Sequence, residues 1–303
     1  MIENNKYDVI IIGGSYSGLS AAMSLGRSLR QVLVIDSGLP CNRQTPHSHN
    51  FITQDGEKPA VISAKAKTQV EFYNTVEFYN GLAINVIKTE SGFEIETQSG
   101  KFFTARKILF ATGVKDIFPE IKGFDECWGI SVLHCPYCHG YEVKNEKTAI
   151  IANGEMGFDY AKLISNWTKD LRLCTNGKST LTLEQTKILK KYGVSIFEEE
   201  IDSFEHTNGS INNIIFKNHE KVAVKAIYAR PPFEQHCHLP QDLGCEINEQ
   251  GLLKVDFMQK TNVEGVYASG DCTTQMRSVA IAVSTGSFAG AVINKDLIEE
   301  DFN

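Results

Sequence analysis

Tyr7-Asp8-Val9-Ile10-Ile11-Ile12 is a short, nearly unbroken apolar run, the pattern of a strand buried on both faces. It stops at Gly13-Gly14-Ser15-Tyr16-Ser17-Gly18, after which Leu19, Ala21, Ala22, Met23 and Leu25 recur at helical spacing. Gln31-Val32-Leu33-Val34-Ile35-Asp36 reads as a second buried strand, which closes a parallel strand-helix-strand unit. From Val76 to Ile108 the pattern shortens and alternates; Phe93-Glu94-Ile95-Glu96-Thr97 and Lys101-Phe102-Phe103, split by Ser99-Gly100, predict antiparallel hairpins. Lys107-Ile108-Leu109-Phe110-Ala111-Thr112-Gly113 is again a buried strand ending in glycine. Beyond turns around Pro119 and Gly123 and the segment His134-Cys135-Pro136-Tyr137-Cys138-His139-Gly140, Thr148-Ala149-Ile150-Ile151 opens a second strand-turn-helix unit. Its turn is Ala152-Asn153-Gly154-Glu155-Met156-Gly157, so the two units look like an internal duplication. Pro231-Pro232 marks the way out of the inserted stretch, and Gly265-Val266-Tyr267-Ala268-Ser269-Gly270-Asp271 leads to a small-residue helix from about Arg277.

The expected fold class is α/β, with two Rossmann-like dinucleotide-binding domains, the second inserted into the first. A length of 303 residues suits two domains with cores of ordinary size, and 42% hydrophobic against 22% charged residues is globular composition. The net charge of -7 offers a polyanion no basic surface, so nucleic acid is not an expected partner. Met1 to Lys6 carries no basic leader or apolar stretch of signal-peptide length, and no span approaches about 18 apolar residues. The expectation is a soluble, cytoplasmic protein without membrane partners. Of the eight cysteines, most read as small buried hydrophobes in a reducing compartment. Cys135 and Cys138 stand apart.

The first turn has the spacing Gly13-x-Ser15-x-x-Gly18, with serine where a second glycine is usual. Glycine lets the backbone turn sharply and approach a pyrophosphate seated on the amides that open a helix. Asp36, 18 residues beyond Gly18 at the end of the second strand, is placed to accept hydrogen bonds from a ribose diol. Cys135-Pro136-Tyr137-Cys138 has the spacing of a redox disulfide whose thiols act as nucleophile and leaving group. Zinc is the first competing reading, with His134, His139, Cys237 and His238 as further ligands, but no second closely spaced cysteine pair is present and no metal site is expected. A glutaredoxin-like domain is the second; it would run from the tetrapeptide into a long helix, whereas here Gly140 follows at once. An inert buried pair is the third. His139, beside Cys138, is a candidate to carry a proton at neutral pH, while His47, His49, His134, His236 and His238 receive no role from spacing. Gly270-Asp271 before the last helix would set an acid and a helix N-terminus beside a cofactor, or merely cap the helix.

The ordered set of N-terminal glycine turn, Ala111-Thr112-Gly113, C-x-x-C before a second dinucleotide-like unit and C-terminal Gly-Asp-helix resembles the low-molecular-weight thioredoxin reductases, FAD-dependent pyridine nucleotide-disulfide oxidoreductases. The resemblance spans essentially the whole chain. It implies an FAD domain built from 1–116 and 233–303, and a nicotinamide-type domain, 117–232, that carries the redox pair. It implies that Gly13, Gly14, Ser15, Ser17, Gly18 and Asp36 hold the adenosine and pyrophosphate, and that Ala111, Thr112, Gly113 and Asn50 also contact the cofactor. Gly270 and Asp271 would lie on the ribityl side, next to Arg277, Ser278 and Val279 at the helix start. Cys138 would face the flavin and Cys135 exchange with substrate, a thioredoxin-like protein or a small dithiol or disulfide. A homodimer is also implied. His139 stands where the family usually has aspartate, and Cys-Pro-Tyr-Cys-His-Gly-Tyr is similar to the branch that oxidises small dithiols with oxygen, as in the gliotoxin and holomycin pathways. The second turn lacks its first glycine, and Thr175-Asn176-Gly177 replaces the family's His-Arg-Arg for the NADPH 2'-phosphate. No acid stands there for NADH, so the sequence leaves the nucleotide, NADPH or NADH, and the direction of electron flow undecided. A non-catalytic flavin redox sensor is the reading from another class.

Overall fold

A computed structural model describes residues 6–303; Met1 to Asn5, most of the segment in which no leader is expected, lies outside the described residues. The first strands and helices are β1 (Lys6–Ile12), α1 (Tyr16–Arg27), β2 (Val32–Asp36), α2 (Pro59–Glu71), β3 (Val76–Asn80), β4 (Ala83–Thr89), β5 (Gly92–Thr97), β6 (Phe102–Phe110) and β7 (Val114–Asp116). There follow α3 (Phe124–Cys127), β8 (Val132–Leu133), α4 (Pro136–His139), β9 (Thr148–Ile151), α5 (Gly154–Ile164), β10 (Leu171–Cys174), α6 (Leu183–Lys191) and β11 (Ser195–Phe197). The remainder is β12 (Ile201–Thr207), β13 (Ser210–Phe216), β14 (Lys221–Ala223), β15 (Ala226–Ala229), β16 (Phe233–Gln235), α7 (Leu239–Asp242), β17 (Val266–Ala268) and α8 (Val279–Asp301). The chain divides into two compact units, 1–43 with 59–115 and 233–303, and 44–58 with 116–232. The short segment 44–58, which the sequence gives no reason to separate from its neighbours, thus belongs to the second unit.

The sheet of the first unit has the order β3-β2-β1-β6-β5-β4, with β17 also paired to β6. Pairs β1/β2, β1/β6, β2/β3 and β6/β17 are parallel, and β4/β5/β6 antiparallel. β3 corrects the expectation of hairpins from Val76 onward: it is a parallel edge strand registered Val32 to Val76. Alternation along a strand reports one exposed face, which a parallel edge strand shares with a hairpin. Along β1, Val9 and Ile11 enter the core beneath α1 and α8, while Ile10 and Ile12 enter the core on the other face with Phe93, Ile95 and Phe110. The period of two in side-chain direction therefore explains the unbroken apolar run: both faces are covered. α1 and α8 meet closely because Gly286 and Gly290 face α1; a Cβ on Gly286 would overlap the carbonyl oxygen of Ser17, and one on Gly290 would lie 2.8 Å from that of Ala21.

The second unit repeats the plan with a parallel sheet ordered β11-β10-β9-β15-β8, and adds an antiparallel sheet β12-β13-β14. Ala149, Cys174 and Ile227 face one core and Ile150, Leu173 and Tyr228 the other. Among the described residues no helix is long and apolar enough to cross a membrane.

Candidate active site

In the first unit, residues far apart in sequence meet at the C-terminal ends of β1, β2, β6 and β17. Gly13 has φ +108°, and a Cβ there would overlap the carbonyl oxygen of Ala111. Gly14 donates its amide to Asp36 Oδ1 at 3.0 Å, and a Cβ on it would lie 2.8 Å from Asp36 Cβ. Ser15 is the N-cap of α1 and makes no side-chain capping bond, so the side chain that most often closes a helix start leaves the first amides of α1 open. The Ser17 hydroxyl is 2.7 Å from that of Ser269, and a Cβ on Gly270, where φ is +80°, would lie 2.9 Å from Ser17 Cβ. Gly270 donates its amide to Thr285 Oγ1 on α8 at 3.1 Å. Arg277 Nε lies 3.7 Å from Asp271 Oδ2, and Ser278 caps α8 by accepting from the Ile281 amide at 3.2 Å, so the last helix starts at Val279 rather than Arg277. The Thr112 hydroxyl is buried with no hydrogen-bond partner among the described residues. An open helix start, a glycine cradle a Cβ would fill and an orphaned buried hydroxyl fit an FAD adenosine-pyrophosphate.

The redox pair lies in the second unit. Cys135 and Cys138 form a disulfide with Cα atoms 5.3 Å apart. Cys135 is the N-cap of α4, its Sγ accepting the Cys138 amide at 3.2 Å, and Pro136 suits the first helical position because it has no amide to satisfy. A Cβ on Gly140 would overlap the Pro136 carbonyl oxygen, which explains why glycine follows the tetrapeptide directly. Tyr137, 64% exposed, sets its ring edge against Trp167 at 5.6 Å. The other cysteines divide by burial: Cys127, Cys174, Cys245 and Cys272 are buried, Cys237 is half-buried and Cys41 is exposed. Burial pushes the Cys174 and Cys272 thiols up to about 12, so neither is a thiolate at neutral pH.

His139 is half-buried, and its pKa is held below the usual histidine value, first by burial and then by the nearby His49, against an opposing pull from Glu142. His49 comes from segment 44–58, folded as a hairpin by the Ser48 amide on Glu57 O at 2.8 Å and the Gly56 amide on Ser48 O at 2.9 Å. His47 Nδ1 is 2.9 Å from Gly56 O. Asn50, at φ +58°, donates its amide to Asp55 Oδ1 at 2.7 Å and lies in this hairpin, in the second unit. Sequence gives no signal for His49, Asp55 or Glu142, because 90 residues separate the two histidines.

The second glycine turn is built differently from the first. Asn153 caps α5: its Oδ1 accepts the Gly154 amide at 2.8 Å, the Thr180 amide at 2.9 Å and the Thr180 hydroxyl at 3.2 Å. Glu155, in the first turn of α5, accepts from Gln185 Nε2 at 2.6 Å. After β10, the Thr175 hydroxyl donates to Gly177 O at 2.6 Å, and Asn176 Oδ1 accepts the Ile201 amide at 2.8 Å.

A reactive disulfide on an α/β unit inserted in sequence within a dinucleotide fold defines a flavin-dependent disulfide oxidoreductase. The family model of pyridine nucleotide-disulphide oxidoreductases matches residues 7–286, and the chain belongs to that family. It is similar to thioredoxin reductase sirT of Leptosphaeria maculans, 29% identical over 97% of this chain and 95% of the relative. Similarity to thioredoxin reductase tcpT of Claviceps purpurea is 29% over 99% and 97%. A solved oxidoreductase from Agrobacterium tumefaciens superposes with TM-score 0.91 at 34% identity, covering 97% of this chain and 99% of that one. The enzyme is thus a thioredoxin reductase-like disulfide oxidoreductase, and the family implies FAD and a nicotinamide nucleotide.

Proposed function

We propose that the enzyme runs in the oxidative direction: an external small dithiol gives two electrons through Cys135 and Cys138, and oxygen finally takes them. Bound FAD would supply the two-electron acceptor. The external thiolate attacks Cys135, the Cys135–Cys138 bond breaks and Cys138 leaves as the thiolate that passes the electrons inward; His139 takes the proton released when the external thiol becomes a thiolate. Gly13, Gly14, Ser15, Ser17, Gly18, Asp36, Thr112, Gly270 and Asp271 would hold the FAD.

The observation that carries the direction is the second turn. A pyrophosphate binds such a turn through open helix-start amides. Here Asn153 already occupies the Gly154 amide, whereas Ser15 leaves its counterpart uncapped. Glu155 adds a negative charge in the first turn of α5. In the segment Thr175-Asn176-Gly177 the Thr175 hydroxyl is held by Gly177 O and Asn176 Oδ1 by the Ile201 amide, and the segment brings no arginine to a 2'-phosphate. Two missing charge-assisted contacts weaken NADPH by roughly 3 to 6 kcal/mol, about 10² to 10⁴ in affinity. NADPH is therefore expected to be a poor reductant of this enzyme.

The test is anaerobic mixing of purified enzyme with NADPH, NADH or dithiothreitol, following the flavin band. Dithiothreitol should bleach it, while either nucleotide does so slowly and without saturation. Fast, saturable reduction at micromolar NADPH restores a reductase acting on a thioredoxin-like protein. A cytoplasmic homodimer belongs to the same reading and rests on the family resemblance; light scattering at twice the chain mass checks the dimer.

A further inference from the structure

Beside α4 lies a cluster that the proposed chemistry does not yet use. The His49 ring stands edge-on to the His139 ring, with centroids 6.3 Å apart and planes at 88°. On its other side His49 Nδ1 lies 3.6 Å from both Asp55 Oδ1 and Glu142 Oε1. Asp55 is fixed in turn by the Asn50 amide. The His49 side chain is only 19% exposed, so this arrangement is held by packing as well as charge. Charged or titratable groups facing His139 are His49 and Glu142; those facing His49 are Asp55, Glu142, His139 and, at 6.5 Å between ring centroids, His47.

We infer that His49 is a positioning residue for His139: clamped by Asp55 and Glu142, it sets the orientation of the His139 ring that accepts the proton of the incoming thiol. The inference rests on the proposed role of His139. In the step concerned, an S–H bond of the incoming dithiol breaks, the proton moves to an imidazole nitrogen, and both bonding electrons stay on that sulfur as the thiolate that attacks the disulfide. No redox change accompanies that transfer. A neutral His139 can accept the proton, whereas a protonated one cannot. Beside His139, the His49 ring disfavours a proton on it and Glu142 favours one.

The experiment measures dithiothreitol reduction of the Cys135–Cys138 disulfide in full-length holoenzyme without oxygen, from about pH 5 to about pH 9. Acid quench, alkylation and mass counting of thiols give the rate independently of overall turnover. The ionisation of dithiothreitol itself is common to all variants. In wild type the rate should fall on the acid side along a limb that His139→Ala removes. His49→Ala should move this limb upward by about half a pH unit or more, slowing the reaction about threefold on its acid side. Glu142→Gln should move it downward, since an attraction for the protonated ring is lost. Shifts of opposite sign are not what a loosened hairpin would give, and His49→Phe, which keeps an edge-on ring, should restore the rate at the alkaline end but not the limb. If His139→Ala leaves the profile unchanged, the reading of His139 and the inference fall together. If His139→Ala removes the limb but His49→Ala leaves it in place, His139 stands and the inference about His49 is overturned.

Discussion

At the residue scale, the two cysteines and the histidine next to them have separable expected roles. Cys135→Ser should leave Cys138 as a thiolate donor to oxidised flavin, giving a long-wavelength charge-transfer absorbance, while Cys138→Ser should not; both should stop turnover. The absorbance appearing only in Cys138→Ser would reverse the assignment. His139→Ala should lower turnover by about 10²-fold with flavin retained. The sign of its pH dependence follows from burial and His49, which lower its pKa. The neutral, proton-accepting form is present above that lowered pKa and is lost as pH falls through it, so the wild-type acid limb should lie below the ordinary histidine range. A limb in wild type at or above that range would contradict the assignment. Asp36→Ala removes the carboxylate that accepts the Gly14 amide and should weaken FAD by about 1.5 to 3 kcal/mol, read by equilibrium dialysis.

At the element scale, the contact of α1 with α8 joins the cofactor cradle to the end of the chain. Ser20 donates its hydroxyl to Val283 O at 2.7 Å, and Gly286 sits against the Ser17 carbonyl without room for a Cβ. Gly286→Val would force the helices apart at the point where Ser17 meets Ser269 and Gly270. It should cost on the order of 1 to 3 kcal/mol, seen as a lower melting temperature, together with weaker flavin retention. A melting temperature and flavin content like wild type would show that the helices can separate there without cost. In the second unit, the Asn153 cap works in the opposite sense: it stabilises α5 while occupying the amide a phosphate needs. Asn153→Gly should lose about 1 kcal/mol or more of stability by thermal melting: glycine is a tolerable N-cap, but the bonds from the Thr180 amide and hydroxyl are lost with the side chain.

At the scale of the whole molecule, turnover with dithiothreitol in air should consume oxygen in proportion to dithiol oxidised, measured with an oxygen electrode. A flavin that bleaches once and does not cycle would mark a redox sensor instead. Much of this architecture was legible in the sequence because its signals are local. An apolar run ending in glycine and followed by helical periodicity needs both sheet faces covered, and β1, β2 and β9 appear where the pattern puts them. The edge strand β3 was not distinguishable from a hairpin arm, because exposure of one face alternates identically in both. Glycine spacing and Asp36 pointed to a dinucleotide turn and the cysteine pair to thiol chemistry, and their order along the chain carried the resemblance to the family. What the sequence could not supply was contact across long separations: the hairpin 44–58 counted with the second unit, His49 set against His139, and Asn153 turned onto the Gly154 amide. Short-range pattern determined the elements and the reactive groups of this protein. Tertiary packing alone decided the surroundings of His139 and the closing of the second phosphate turn, because charge and hydrogen bonding depend on distances through space rather than along the chain.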